Sequence, residues 1–507
     1  MNRRPLGMGK AALLVSGSIL LSRLLGLLRN TLLASTLGVT AQGDLYQLAF
    51  AIPDLLNYLL AGGFLAITFI PMLTRRMVEG RPQAIWEAFT AVARIVVPGA
   101  VLLTVLGMVL VEPLSRILYP GLAEADVLEL AALTRIVLPA QIFFVAGGLL
   151  MAVQYSHRRF LFPSLAPVIY NLGIICGGLA SQTPRGFIYG ALGGALVGNL
   201  VLQWVGARRL GLRLVSGVEW THPAVGEYFG LALPLMVGLS VSVLDEQFPR
   251  WFGASVGEGG AAALSLARQL NMVPVGLIAQ AAGVAALPFL VRLAEESNLD
   301  GLRSATTRAV RMGLAVSSLA AAVLVAVAQP AVRLLYQYGK FSAEDTSLVA
   351  GLLIIYAISI PAWTAHQIYA RAFYAQRKMW SPVLIGTGFT VVAIFLTRWL
   401  TEGRGVEGVA LASVISMVGY GAVLAVYWHA GQGGAGSRNV LRTAVTVTVA
   451  GVVAGYTGLR MTSSLFQDGI AGSLLALIGG LLITAVVWIV LALLTARADL
   501  LELVRRR

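Results

Sequence analysis

The sequence predicts an all-α polytopic membrane protein of about fourteen transmembrane helices, and three observations carry that expectation. The first is composition: the 507 residues are 58% hydrophobic and only 12% charged, with a mean hydropathy of +0.81. Soluble domains run at about 45–50% apolar and about 25% charged. The second is spacing, because apolar runs of bilayer length, about 20 residues at a rise near 1.5 Å each, recur along the whole chain. The third is charge: arginine and lysine gather in alternate short loops, as they do on the cytoplasmic side of a membrane.

The apolar runs lie at 11–38, 45–73, 84–112, 128–155, 162–181, 184–206, 225–253, 261–290, 304–329, 346–375, 380–400, 405–428, 440–459 and 470–496. The first follows MNRRPLGMGK and resembles a signal peptide, but it is too long and carries Arg23 and Arg29, so it reads as an uncleaved first helix. Arg3, Arg4 and Lys10 precede it, and alternate loops repeat that pattern: Arg75, Arg76 and Arg81, then Arg158 and Arg159, then Arg208, Arg209 and Arg213. Arg292, Arg303 and Arg308 continue it, followed by Arg377 and Lys378, Arg438 and Arg442, and Arg505, Arg506 and Arg507. Both termini are thereby expected in the cytoplasm. The opposite loops hold Asp44, Glu124, Asp126, Glu258, Glu344 and Asp345.

Three stretches organise the chain: helices one to six in an N-terminal lobe over 1–224, helices seven to twelve over 225–428, and helices thirteen and fourteen with a tail over 429–507. An echo between 114–139 and 332–361 fits an internal repeat of transporter type. Prolines within the spans, among them Pro53, Pro98, Pro139, Pro167, Pro274 and Pro361, are expected to kink or break helices by removing a backbone donor. The single cysteine, Cys176, is expected to pack in its apolar segment. A net charge of +14 scattered over short loops indicates topology and not a nucleic-acid surface.

Charges inside the spans are the candidate functional groups, since each is costly at membrane depth and faces a protein interior or a watery cavity. Arg23 stands about 18 Å and Arg29 about 27 Å along the first helix, and six residues turn them about 120° apart. Arg268 enters from the outer side of helix eight, and Asp44 opens helix two. A guanidinium stays charged and offers a planar fork to phosphate oxygens, so a pyrophosphate fits such a cluster. The competing reading pairs Arg29 with Asp44 as a buried bridge and lets Arg268 snorkel to the interface. In helix seven, Glu246 and Arg250 are spaced to neutralise each other, leaving Asp245 as a candidate for Na⁺ or H⁺ coupling beside Pro249. Arg135, His366 and Arg371 read as interfacial or cavity-wall groups. The four histidines lack metal-ligand spacing and no Walker loop occurs, so no enzyme constellation is present.

SRLLGLLRN and GDLYQLAFAIPDLLNYLLAGGF, with ARQLNMVPVGLIAQAAGVAALPFL, VRLLYQYGKFSAEDT and RAFYAQRKMWSPV, resemble the MurJ/MviN lipid II flippases of the multidrug/oligosaccharidyl-lipid/polysaccharide exporter superfamily. The resemblance covers most of the chain in consistent order. It implies two pseudo-symmetric lobes around a cationic central cavity, alternating access, and transport of an undecaprenyl-pyrophosphate-linked glycan, lipid II first, across the bacterial cytoplasmic membrane. Membrane lipids and the peptidoglycan synthesis machinery are its implied partners. No cofactor is implied beyond Na⁺ or H⁺ coupling or the membrane potential. Arg23, Arg29, Asp44 and Arg268 fall where the family has functionally important charges. Asn57 and Tyr58 stand where it commonly has an arginine, and Asn57 is taken with the substrate-facing set. The acid before G-A-F is missing from AGGF, Asn30 replaces an acid, and 381–399 lacks the groups of a sodium site described in some members. Another lipid-linked oligosaccharide is the alternative cargo. A cation-coupled drug exporter would favour cavity carboxylates instead.

Overall fold

In a lipid core every backbone polar group must be satisfied within its own segment, which is why each apolar run is expected to be helical. The computed structural model describes residues 8–60, 68–79, 82–431, 433–434, 436–465 and 469–505. Arg3, Arg4, Arg81, Arg506, Arg507 and the AGGF stretch at 61–64 lie outside the described residues, as do the side chains of 233–246. Within the described residues, all fourteen expected segments are helical.

The chain divides into two compact units, Met1–Val243 with Gly257–Gly259, and Leu244–Val256 with Gly260–Arg507. Unit 1 contains α1 (Met8–Leu37), α2 (Ala41–Ala49), α3 (Ala51–Leu60), α4 (Ile70–Val78), α5 (Pro82–Leu118), α6 (Glu124–Val137) and α7 (Ala140–Ser156). It continues with α8 (Leu161–Ser181), α9 (Pro184–Ala195), a π-helical turn at Leu196–Val201 and α10 (Leu202–Arg208). Helix α11 (Pro223–Gly253) leads out of it. Unit 2 contains α12 (Gly260–Pro274), a second π turn at Val275–Gln280, α13 (Ala281–Glu295), α14 (Leu299–Tyr336), α15 (Ala343–Ala357) and α16 (Ile360–Ala375). Helices α17 (Trp380–Ala430), α18 (Ser437–Leu465) and α19 (Ile470–Arg505) complete it.

Several spans are broken where proline removes a backbone donor. The fourth expected span divides into α6 and α7 at Pro139. The tenth divides into α15 and α16 just before Pro361, with a 40° bend. Pro98 and Pro167, in contrast, remain inside the continuous helices α5 and α8. Helix α17 is two helices meeting at Gly405, whose φ of 57° and ψ of −136° are open only to glycine. Among the described residues nine helices are long and apolar enough to span a bilayer, or ten with the α15 and α16 pair counted as one span. That number differs from fourteen because Trp380–Ala430 counts once although it holds two helices, and because the runs at 11–38, 45–73 and 225–253 are not among these spans.

Each unit has its own core. Phe69, Leu73, Phe89, Val92, Leu149, Val153 and Tyr228 close unit 1, and Leu302, Val310, Tyr369, Trp428, Val447 and Trp488 close unit 2. Between α8 and α9 the backbones touch: a Cβ on Gly177 would lie 2.2 Å from the Gly186 carbonyl oxygen, and one on Gly190 would lie 2.3 Å from that of Gly173. Small residues at this crossing allow the close van der Waals approach that holds helices together in lipid. Outward faces are apolar, as on α19 with Leu475, Leu482 and Val486 exposed. Cys176 corrects its expectation, being exposed on α8 beside the exposed Leu172 and Leu179. In a membrane protein an apolar segment packs against lipid as readily as against protein.

Candidate functional site

Helix α1 carries both intramembrane arginines, and unit 1 gives them different surroundings. Arg29 is half-buried and donates through Nε and Nη2 to Asn30 Oδ1 at 3.2 and 3.0 Å, and through Nη1 to Asn171 Oδ1 at 3.1 Å. Asn171, on α8, in turn donates through Nδ2 to Ser22 Oγ at 3.3 Å and to the Pro167 carbonyl at 3.0 Å. Ser22, Gly26 and Arg29 therefore form the α1 face that packs on α8. Buried amides are hydrogen-bonded or costly, and here Asn30 and Asn171, 8% and 7% exposed, satisfy a cation without neutralising it. Arg29 makes no ion pair among the described residues, so the competing reading of a bridge to Asp44 gives way to an amide cradle.

Arg23 stands about 120° away on the same helix. It is exposed, and among the described residues it has no hydrogen bond or ion pair. Ser16 and Ile19 lie near it on that face and are exposed too, whereas Asn30, Ala34 and Leu37 further along are buried. The face is thus open through Arg23 and closed beyond it.

Asp44 has a different task from charge pairing with α1. Thr40 caps α2 by accepting from the Gly43 N–H at 3.4 Å, and Asp44 lies in the first turn, where the helix dipole favours a carboxylate. Its Oδ2 accepts the Gly259 N–H at 2.7 Å, and the residue is 5% exposed. Reciprocally, Glu258 Oε1 accepts the Ala41 N–H at 3.2 Å. Gly259 adopts φ +81°, and a Cβ there would meet Val39 at 2.5 Å. The two carboxylates therefore latch the 257–259 segment onto the start of α2.

The remaining candidates are placed as follows. Asn57 is half-buried on α3 in unit 1. Arg268 is half-buried on α12 in unit 2, directly after a wholly buried run from Ala261 to Ala267. Asp245 and Glu246 lie on α11, with side chains outside the described residues; Arg250, expected opposite Glu246, donates to Gln247 Oε1 at 3.0 Å. Arg135 pairs with Glu112 at 3.3 Å and donates to the Met108 carbonyl. His366 Nδ1 and Arg371 Nε on α16 are buried without a hydrogen-bond partner among the described residues.

Sequence reasoning missed Asn171, which nothing marks as a partner of a residue 142 positions away. It also missed Gln269 and Asn271, whose Oε1 and Oδ1 are buried without partners among the described residues, on either side of Leu270 and next to Arg268. Amides inside the apolar run ARQLNMVP were the available signal.

Comparison with known proteins settles the family. The model of the family described as lipid II flippase MurJ matches residues 33–480. This chain belongs to that family. The probable lipid II flippase MurJ of Rhizobium meliloti is 26% identical over 418 residues, covering 79% of this chain and 77% of the relative. The lipid II flippase MurJ of Burkholderia cenocepacia is 26% identical over 393 residues, with 76% of each chain covered. In fold, the chain is similar to a solved lipid II flippase MurJ in an inward closed conformation, at TM-score 0.79 and 19% identity over 96% of this chain and 100% of that one. A multidrug resistance transporter of the MATE family, of the MOP superfamily, follows at TM-score 0.66 and 14% identity over 84% of this chain and 96% of that one. The family and the apolar helices together make this a multi-pass membrane protein.

Proposed function

We propose that the protein is a flippase that carries lipid II, the undecaprenyl-pyrophosphate-linked peptidoglycan precursor, from the inner to the outer leaflet of the bacterial cytoplasmic membrane by alternating access. The observation that carries this reading is the family match over residues 33–480. An exposed arginine part-way along a membrane helix gives it chemistry: the Arg23 guanidinium can take pyrophosphate oxygens through its fork. Arg268, with Gln269 and Asn271 beside it, would supply a second set of polar groups. Arg29 holds α1 on α8 and adds positive potential, and Asp44 keeps the start of α2 latched. Asn57 faces the cargo in this reading. No covalent bond is made or broken in the transfer, so the protein is a transporter and not an enzyme.

Both termini lie in the cytoplasm in this reading, supported by the loop arginines. Energy comes from Na⁺ or H⁺ coupling at Asp245 or Glu246, or from the membrane potential, about 2.3 kcal/mol per charge per 100 mV. The peptidoglycan synthesis machinery is the proposed protein partner. The test is rescue of a bacterium depleted of its lipid II flippase. Growth on expression of this chain supports the cargo, and lysis despite normal membrane expression overturns it. Asn57 and Tyr58, in place of the family's common arginine, favour a second reading in which another lipid-linked oligosaccharide is carried. Rescue of an oligosaccharide-flippase mutant alone would select it.

A further inference from the structure

At the end of α10, unit 1 has an open cleft of about 390 Å³ lined by Trp204, Val205, Arg208 and Arg209. Its floor is rigid. Gln203, fully buried, donates to the Phe162 and Gly198 carbonyls at 3.0 and 2.9 Å and accepts from Gln154 Nε2 at 2.8 Å. Gly206 packs so tightly that a Cβ would lie 2.2 Å from Gln154 Oε1. From this floor the Arg208 guanidinium lies 5.3 Å from the Trp204 ring centre and that of Arg209 lies 5.2 Å from the Phe162 ring centre. Both arginines are exposed, and neither has a carboxylate partner among the described residues.

Two further observations say what would sit there. Residues 130–218 contain seven arginines and no aspartate or glutamate, so this end of the unit offers Arg158, Arg159, Arg208, Arg209 and Arg213 no acidic residue from their own stretch of chain. At the start of the same helical run the opposite holds, where Arg185 binds Glu129 at 2.6 Å. Leading up to the arginines, Val197, Val201, Trp204 and Val205 form an exposed apolar stripe, 50%, 47%, 39% and 37% exposed. Spacings of three and four place them on one side of the helix, next to Arg208. An apolar stripe ending in unpaired, ring-stacked arginines matches acyl chain and phosphate in order.

We propose that this cleft binds an anionic phospholipid of the leaflet it faces, with the phosphate held by Arg208 and Arg209 and an acyl chain along Val197, Val201 and Trp204. Free phosphate would have no use for the stripe, and a zwitterionic lipid would leave two arginines facing an ammonium group. The site is separate from the flippase cargo groups, and binding can be read without transport.

Native mass spectrometry of the purified full-length protein tests this with phosphatidylglycerol and phosphatidylcholine of identical chains. The wild type is expected to retain one more phosphatidylglycerol than phosphatidylcholine. In the Arg208→Gln/Arg209→Gln double variant that extra lipid binds about thirtyfold more weakly, at about tenfold per 1.4 kcal/mol and about 1 kcal/mol per arginine. Arg185→Gln at the other end of the helical run should leave it unchanged, and Trp204→Leu should weaken it with both arginines present. Equal retention of the two lipids by the wild type, or equal phosphatidylglycerol retention by wild type and double variant, overturns the proposal. So does displacement by millimolar inorganic phosphate, which would mark a phosphate site without a lipid, or by equimolar lipid II, which would assign the cleft to the cargo. Matching elution volumes of wild type and variants show that the lost lipid is not lost folding.

Discussion

Arg23 and Arg29 share one helix and one residue type, yet one is held in an amide cradle and the other is exposed. Arg29 receives Asn30 and Asn171, a partner from its own helix and one from α8, and its charge is solvated by protein. Arg23 receives nothing of the kind among the described residues. A cation already satisfied contributes position and potential, whereas an unsatisfied one at membrane depth has its bonding capacity left for a ligand. Cost at membrane depth, the same for both in the sequence, therefore falls on one arginine that the protein satisfies and one that it leaves exposed.

The comparison breaks most readily at Arg23. Arg23→Ala is expected to lower the rate at which lipid II reaches the outer leaflet of proteoliposomes by roughly 10- to 150-fold, the worth of one charge-assisted bond at about 1.5–3 kcal/mol. Unfolding should be unmoved, because no partner among the described residues is lost; a transport rate like the wild type's would remove Arg23 from the cargo site. Asn171→Leu tests the other arginine: taking away the cradle leaves a buried cation short of one acceptor and should cost about 1–3 kcal/mol of stability by thermal or denaturant unfolding. An unchanged midpoint would mean the cradle is incidental. Arg29→Lys sharpens the point, since a lysine keeps the charge but loses the fork that reaches both amides, and about 1 kcal/mol should go. Stability equal to the wild type's would show that charge alone matters there. The smallest effect is expected for Asn171→Asp, which turns the amide cradle into an ion pair with acceptor geometry conserved; a gain or loss within about 1 kcal/mol follows from the offset between Coulomb attraction and desolvation. A collapse in expression would show that Arg29 must remain un-neutralised for folding.

Legibility followed the range of the interaction. Pro139 and Pro361 broke their spans as a missing donor requires. The π turns at Leu196–Val201 and Val275–Gln280 had no such marker, since they shift hydrogen-bond register and not composition. Asp44 stands out in the sequence as a candidate charge at the start of helix two, but its acceptance of the Gly259 N–H spans 215 residues and cannot be read from spacing. The same holds for Cys176, whose apolar neighbours are compatible with either protein or lipid on its face.

By itself the sequence determined that this is a multi-pass helical membrane protein, and which charges lie within its apolar runs. Those properties are local: hydrocarbon admits only backbones that satisfy themselves, so length and polarity of each run decide them. Only the tertiary structure decided which of two like arginines sits in an amide cradle, that Asp44 accepts a backbone N–H from 215 residues away, and that Arg208 and Arg209 end an apolar stripe with no carboxylate partner among the described residues. These depend on which distant side chain or ring arrives within about 3–5 Å, and packing of helix on helix sets that distance.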